Sequence, residues 1–298
     1  MGNMKMSPLR LLLWNVIAKA NLCFLSDKSY LRLIYRVVTG DRLHLDSPTL
    51  FTEKMQWLKL YDRKPYYTQM VDKIAAKTYV GNIIGYNHII PTIKIWDSVN
   101  DINFQGLPEK FVLKCNHDSG GLVICNNKKE LDIVSAKKKL NQSLKRNFYW
   151  VGREWPYKDV PPKVFAETFI ENSNGNKLQD YKFFCFNGEP EFLYISSNLT
   201  DHSKARLSYI TMEWEQAPFY RIDYKQYDKL PPKPKNFELM KEYARKLSKG
   251  TPFLRVDFYE IDGELYFGEL TFTPGSGLTK FYPSYWESYW GEKIILDK

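Results

Sequence analysis

The residues best equipped for chemistry lie near the C-terminal end, on two stretches with strand alternation. In Leu254-Arg255-Val256-Asp257-Phe258-Tyr259 the apolar residues point one way, so Arg255, Asp257 and Tyr259 share the other face. In Leu265-Tyr266-Phe267-Gly268-Glu269-Leu270-Thr271-Phe272 the same alternation puts Phe267, Glu269 and Thr271 on one face. A row of ionic side chains on strands rich in Phe and Leu is costly to bury without a partner. Mg²⁺ is a natural one, because it takes carboxylate oxygens together with nucleotide phosphates. Register decides whether the two carboxylates meet. A two-residue turn at Asp262-Gly263 sets Asp257 against Gly268; a three-residue loop, Asp262-Gly263-Glu264, sets it against Glu269. The metal reading therefore requires an odd-numbered loop. The plain alternative is a surface hairpin whose charges face water.

A second constellation is Phe111-Val112-Leu113-Lys114-Cys115-Asn116-His117-Asp118-Ser119-Gly120-Gly121. A Lys at a strand end followed by a small-residue loop suits phosphate, since loop amides and an ammonium converge on the anion. It is neither a Walker A loop nor a dinucleotide GxGxxG, and turns of this composition are common. A third is Phe165-Ala166-Glu167-Thr168-Phe169-Ile170, followed by Asp180-Tyr181-Lys182-Phe183-Phe184. An extended segment can offer backbone groups to an adenine edge, and nearby carboxylates can accept from ribose hydroxyls. An ordinary edge strand is the alternative.

These pieces need elements to hold them. The chain has 298 residues, 44% hydrophobic and 16% aromatic, which supplies a packed core and excludes a disordered protein. The net charge of +9 points to an anionic partner without choosing among nucleotide, polyanionic substrate, lipid and nucleic acid. Cys23, Cys115, Cys125 and Cys185 form no CxxC pair, and His44, His88, His117 and His202 are scattered. Structural zinc is not indicated, and free thiols fit a reducing compartment.

Helical spacing is expected from Thr52 to Leu60, from about Tyr66 to Tyr79, and from Leu131 to Phe148. Short strands are expected within 83–96 around Pro91, at Phe111–Lys114, Leu122–Cys125 and Val164–Glu167. Asn187-Gly188 marks a hairpin between Tyr181–Phe186 and Glu191–Ile195. Residues 199–235 are polar and Pro-punctuated and read as a long loop or lid, in which Lys204, Arg206 and Arg221 are candidate substrate contacts or solvated cations. Asn236 caps a helix to about Leu247, closed by Gly250. Without a regular βαβ alternation, α+β is the expected class.

At the N-terminus, Leu9, Leu12, Leu13, Val16, Ile17 and Ala20 fall on one helical face after Ser7-Pro8. That reading is preferred to a secretory signal, and the run is too short to span a bilayer. Residues 1–45 carry seven basic and two acidic side chains. Such a helix either packs on the protein's own body, the default for globular helices, or lies on the anionic inner face of a membrane.

The order of the pieces resembles the ATP-grasp superfamily, and within it the TupA-like branch associated with bacterial surface-polysaccharide synthesis. The resemblance rests on Thr52-Glu53-Lys54-Met55-Gln56-Trp57-Leu58-Lys59, Asp72-Lys73, Lys114-Cys115-Asn116-His117, Asp180-Tyr181-Lys182-Phe183 and Gly268-Glu269-Leu270-Thr271-Phe272-Thr273-Pro274, and runs from about residue 45 to the end. It implies an ATP-grasp fold of two α+β lobes gripping ATP. The expected ranges are a helical extension at 1–65, an α/β subdomain at 66–108 and the ATP-grasp domain at 109–298. The last would comprise a nucleotide lobe at about 109–195, the lid at about 199–235 and the metal hairpin at 253–273.

By the same resemblance Lys73 and Lys114 grip the phosphates of ATP under the loop Ser119-Gly120-Gly121. Glu167 to Ile170, with Phe169 between them, hold adenine, and Asp180 and Lys182 sit beside the nucleotide. Asp257 and Glu269 bind Mg²⁺, and Arg255 contacts the acyl phosphate. Many ATP-grasp ligases carry Glu-x-Asn at the metal; here Thr271 stands in the third place, a weaker ligand that leaves room for water. The implied reaction joins a carboxylated sugar (a uronic acid of a capsule, O-antigen or teichuronic-type polymer) to an amino acid or other amine, in the cytoplasm. Two rivals remain: a glycosyltransferase of the same polymers, although no Asp-x-Asp element is present, and a non-enzymatic basic protein binding nucleic acid or membrane.

Overall fold

A computed structural model describes residues 7–20, 22–173, 178–197 and 205–297. Helices and two antiparallel sheets make it α+β, as expected. The chain forms two compact units whose segments interleave. One comprises Lys64–Tyr149 and Pro156–Leu178; the other comprises the chain up to Arg63, Trp150–Trp155 and everything from Gln179 onward. Lys204, named above as a substrate contact, lies outside the described residues.

The N-terminal part of the larger unit holds helices α1 (Pro8–Ala20), α2 (Asp27–Thr39) and α3 (Phe51–Tyr61). Glu53 fastens the start of α3: its carboxylate accepts from the amides of Thr49 at 3.0 Å and Leu50 at 3.1 Å. Trp14 and Ile17 of α1 pack on a cluster that includes Tyr30, Leu31 and Ile34. The face expected to turn inward mostly does not: Leu9, Leu12, Leu13 and Val16 are exposed. No described helix is long and apolar enough to cross a membrane.

In the smaller unit α4 (Tyr67–Val71) and α5 (Ala75–Ile84) replace the single helix expected over 66–79. The break falls at Asp72, whose Oδ1 accepts from the Ile74 amide at 2.9 Å and starts the second helix. That helix absorbs Ile83 and Ile84, so only β1 (Thr92–Trp96) is a strand within 83–96. Next come β2 (Phe111–Cys115), β3 (Leu122–Cys125), α6 (Ile133–Leu144), α7 (Tyr149–Gly152, at the junction of the units) and β4 (Val164–Thr168). The sheet order is β1-β4-β2-β3. Phe111, Leu113 and Cys115 alternate into a core that Leu140 of α6 completes.

The larger unit continues with β5 (Asp180–Phe186), β6 (Glu189–Ser197), β7 (Arg206–Thr211), α8 (Phe237–Ser248), β8 (Phe253–Ile261), β9 (Glu264–Thr271) and α9 (Tyr285–Lys293). Its sheet runs β7-β6-β5-β8-β9. The stretch read as a loop thus supplies an edge strand: Leu207 and Tyr209 alternate inward strongly enough to pair with β6. Asn236 does not cap α8 with its side chain. Its Nδ2 donates instead to Glu260 Oε2 at 2.9 Å and to the Gly263 carbonyl at 2.7 Å, tying the helix to the β8–β9 turn.

Period-2 alternation on β5 gives the sheet two apolar faces. Phe183 meets Phe237 of α8, while Phe184 and Phe186 meet a cluster that includes Phe51, Phe192, Phe253, Phe281 and Trp290. Phe192 is in ring contact with Phe184, Tyr209, Phe219, Phe281 and Trp290. Phe192→Ala is expected to lower unfolding free energy by about 3–5 kcal/mol, because rings held on every side cannot collapse into the void. Urea unfolding of the two proteins measures it.

Candidate active site

The β8–β9 hairpin closes with a two-residue turn. Asp262 and Gly263 both have positive φ, 52° and 85°, as the favoured tight hairpin requires. The odd-numbered loop is therefore absent, yet Asp257 still faces Glu269. The extra residue sits inside the strand: pairing runs regularly from Ile261↔Glu264 to Phe258↔Phe267, then slips at Gly268 before Asp257↔Glu269. This β-bulge also breaks the alternation. Phe267 stays in the core, whereas Glu269 and Thr271 turn to the face of Asp257 and Arg255, so Phe267 and Glu269 do not share a face. A Cβ at position 268 would lie 3.1 Å from both the Asp257 carbonyl oxygen and the Tyr259 ring. Gly268→Val should destabilise the protein by about 1–3 kcal/mol through overpacking, measured by denaturant unfolding.

The strands bring six of the expected residues into one network. Arg255 Nε and Nη2 fork onto Asp257 Oδ1 and Oδ2, both at 2.7 Å. Nη2 also reaches Thr271 Oγ1 at 2.9 Å and Glu269 Oε2 at 3.4 Å. From β5, which pairs Lys182 with Asp257, the Lys182 ammonium donates to Asp257 Oδ2 at 2.6 Å and pairs with Asp180. Asp257 is wholly buried, while the Glu269 side chain is 34% exposed. Burial alone would lower the Lys182 ammonium, but Asp257 and Asp180 outweigh it and raise the group far above its usual range. Burial works against the Arg255 guanidinium too, and Asp257 leads the groups that keep it charged. Burial raises the Asp180 carboxyl, with Lys182 opposing. Asp180 Oδ1 is buried with no described partner.

Residues that carried no role in the sequence hold the loop after β9. Gly275 and Ser276 have positive φ, 59° and 57°. Lys59 Nζ, at the end of α3, donates to the Ser276 carbonyl at 2.7 Å, Ser276 Oγ at 3.0 Å and Gln56 Oε1 at 3.1 Å. Gln56 Nε2 adds a bond to the Gly277 carbonyl at 2.8 Å, and Thr273 donates to Glu154. The signal was the polar pair Gln56 and Lys59, three positions apart and so on one face of the helix, but its target lies more than 200 positions away.

Burial pushes the Lys59 ammonium down from 10.5 to about 8, against the pull of Glu154. Between those values the unfolded chain holds a proton that folded Lys59 has lost, so this residue makes stability rise with pH across the window. Lys59→Met should flatten that slope in unfolding free energies measured at its two ends.

In the smaller unit Lys114 and Glu167, on neighbouring strands, form an ion pair, and Lys77 Nζ donates to the same carboxylate at 2.9 Å. Lys77 was given no role in the sequence. Burial would raise the Glu167 carboxyl, but Lys114 and Lys77 together hold it below the usual range. Lys73 Nζ reaches the Asp118 carbonyl at 2.6 Å, at the head of the Ser119-Gly120-Gly121 loop. Asp118 Oδ1 accepts from the Gly121 amide at 3.0 Å, and Ser143 donates to its other oxygen. At Gly121 a Cβ would meet Ser143 Oγ at 2.4 Å, so no side chain fits. Phe169 and Ile170 follow β4 half-buried, with the Lys110 ammonium 5.7 Å over the Phe169 ring.

Paired carboxylates on a hairpin, an arginine that reaches both, and lysines around a Gly-rich loop in the other unit are features of the ATP-grasp class, to which ligases that form carbon–nitrogen bonds belong. A family model described as TupA-like ATP-grasp matches residues 53–295. The chain belongs to that family. No curated protein matches it. Among solved structures it is similar to the D-alanine–D-alanine ligase of Helicobacter pylori, with 16% identity, 83% of this chain and 69% of that one covered, and a TM-score of 0.45. For the same ligase of Bacillus anthracis the values are 15%, 74%, 58% and 0.37. For the ATP-grasp ligase PsnB with a phosphomimetic precursor variant, Mg and ADP they are 9%, 74%, 57% and 0.40. The chain thus spans under two thirds of the length of the last two.

Proposed function

We propose that the protein is an ATP- and Mg²⁺-dependent ligase that joins a uronic acid carboxylate to an amino acid or other amine during synthesis of a bacterial surface polysaccharide. The observation that carries the reading is the Asp257–Glu269 pair on adjacent strands, bridged by Arg255, in a chain of this family. Among the described residues no cluster of three His, Cys, Asp or Glu could hold a metal, so a cation here takes two carboxylates and completes its shell from a ligand. That donor set fits Mg²⁺ with nucleotide phosphates. When bound, Mg²⁺ neutralises phosphate charge.

In this reading a carboxylate oxygen of the substrate attacks the γ-phosphorus of ATP, and ADP leaves. The amine nitrogen then attacks the acyl carbon of the acyl phosphate, phosphate leaves, and the nitrogen loses a proton. Little covalent chemistry falls to the chain, whose part is positioning and charge neutralisation. Arg255, held by Asp257, presents a fixed cation to the transferring phosphoryl group. Lys73 and Lys114 grip phosphate oxygens, the amides of Ser119-Gly120-Gly121 cover them, and the segment Glu167 to Ile170 takes adenine. The exposed Leu9, Leu12, Leu13 and Val16 of α1 support peripheral contact with the inner face of the membrane, on the cytoplasmic side.

The test is ADP release from combinations of uronic acids and amines. The expected result is turnover that needs both substrates. Mg–ATP should also stabilise the fold, by about 2.7 kcal/mol at 100-fold excess over Kd, and so raise the melting temperature, while a nucleotide sugar should not. Stabilisation by a nucleotide sugar alone would replace this reading with a glycosyltransferase.

A further inference from the structure

Beside the carboxylate hairpin, wholly within the larger unit, lies a small cavity of about 40 Å³. That is room for about three water-sized groups and suits a carboxylate rather than a whole ring. Two arginines line it, Arg255 and Arg221, together with Tyr194, Tyr209 and Gly275. Arg221 comes from the stretch between β7 and α8, far in sequence from the hairpin. Its side chain is 14% exposed, and Asp223 fixes it through a fork, with Nε to Oδ1 at 2.9 Å and Nη2 to Oδ2 at 2.6 Å. Its guanidinium also lies 4.9 Å over the Tyr224 ring. Each arginine therefore spends Nε and Nη2 on an aspartate, and no described residue engages Nη1 of either. Nor does a described residue hydrogen-bond the hydroxyl of Tyr194 or Tyr209.

We infer that this cavity takes the carboxylate group of the sugar-acid substrate, and that Arg221 is the residue that selects it. This rests on the ligase reading and deepens it. Planar guanidinium donors match a carboxylate in a way that an ammonium does not. Two such donors at one cavity recognise an anion, and aspartate-locked geometry means that little order is lost on binding. The hydroxyls of the two tyrosines are further donors for the carboxylate oxygens. Arg255 then serves twice, at the carboxylate before transfer and at the phosphoryl group during it. Arg221 touches only the sugar acid, so it sets affinity for that substrate and not for ATP.

The experiment pairs Arg221→Gln with the double variant Arg221→Gln/Asp223→Asn, which leaves no uncompensated buried aspartate. Glucuronate is the probe, glucose its uncharged counterpart, and binding is followed by calorimetry on the full chain without ATP. The expected result is binding of glucuronate but not glucose, weakened about 10- to 100-fold in both variants, with thermal stabilisation by Mg–ATP retained. In turnover the same variants should raise KM for the sugar acid with KM for ATP unchanged. Equal binding of both sugars, or glucuronate binding and KM unchanged in a double variant that Mg–ATP still stabilises, overturns the subsite. Glucuronate binding lost in the variants, without ADP release from any amine, would keep the subsite and remove the ligase reading instead.

Discussion

Glu269→Gln is expected to lower ATP-dependent turnover about 100- to 1,000-fold, the scale on which one preorganised electrostatic group acts in catalysis. The fold should survive it. Glu269 is partly exposed, and the contacts it makes include long ones, a 3.4 Å bond from Arg255 and a 3.4 Å bond from Thr271. An isosteric amide keeps the shape and removes only the charge. Asp257→Asn is the poorer test, because Asp257 is buried and answers two cations, Arg255 and Lys182, at 2.6–2.7 Å. Breaking such a buried pair costs about 3–5 kcal/mol of stability, which would mask any effect on chemistry. ADP release and urea midpoint, read together on Glu269→Gln, separate the two effects. Unchanged release with a genuine substrate pair would reject the metal assignment.

Lys114→Met should raise KM for ATP about 10- to 100-fold, because a hydrogen bond to a charged group is worth about 1.5–3 kcal/mol. Its partner Glu167 keeps Lys77 after the change, so the sheet retains a neutralised carboxylate. The contrast is Lys77→Met. Lys77 also donates to the Ile90 carbonyl at 2.7 Å and Thr92 Oγ1 at 3.0 Å, so its loss should appear in stability rather than in KM. ATP titrations of both variants beside their unfolding curves check the assignment. Equal KM in wild type and Lys114→Met would place the phosphates elsewhere.

Much of the active hairpin was legible from residue order. Alternation marks which residues of β8 share a face, because successive side chains in a strand point to opposite sides whatever the rest of the chain does. The bulge was not read, although its signal was present: a lone Gly inside a strand often marks one. Counting loop residues assumed regular pairing, and a single unpaired residue at 268 was enough to restore the Asp257–Glu269 match through a different turn. The helix expected over 66–79 failed at Asp72 because a local side-chain bond to the next amides competes with continuing the helix.

By itself the sequence determined the α+β class, the strands that carry Arg255, Asp257 and Glu269, and the Gly-rich loop after Lys114, all of which follow from local residue types and periods. The family was legible only as a resemblance, in the order of its motifs. Only the tertiary structure decided that Lys59 and Gln56 hold the loop at Ser276, that Lys77 shares Glu167 with Lys114, and that Arg221 meets Arg255 at one cavity. Those partners are separated by tens to hundreds of positions. Such a meeting depends on how the sheet and its aromatic core close over the whole unit, and no local pattern encodes it.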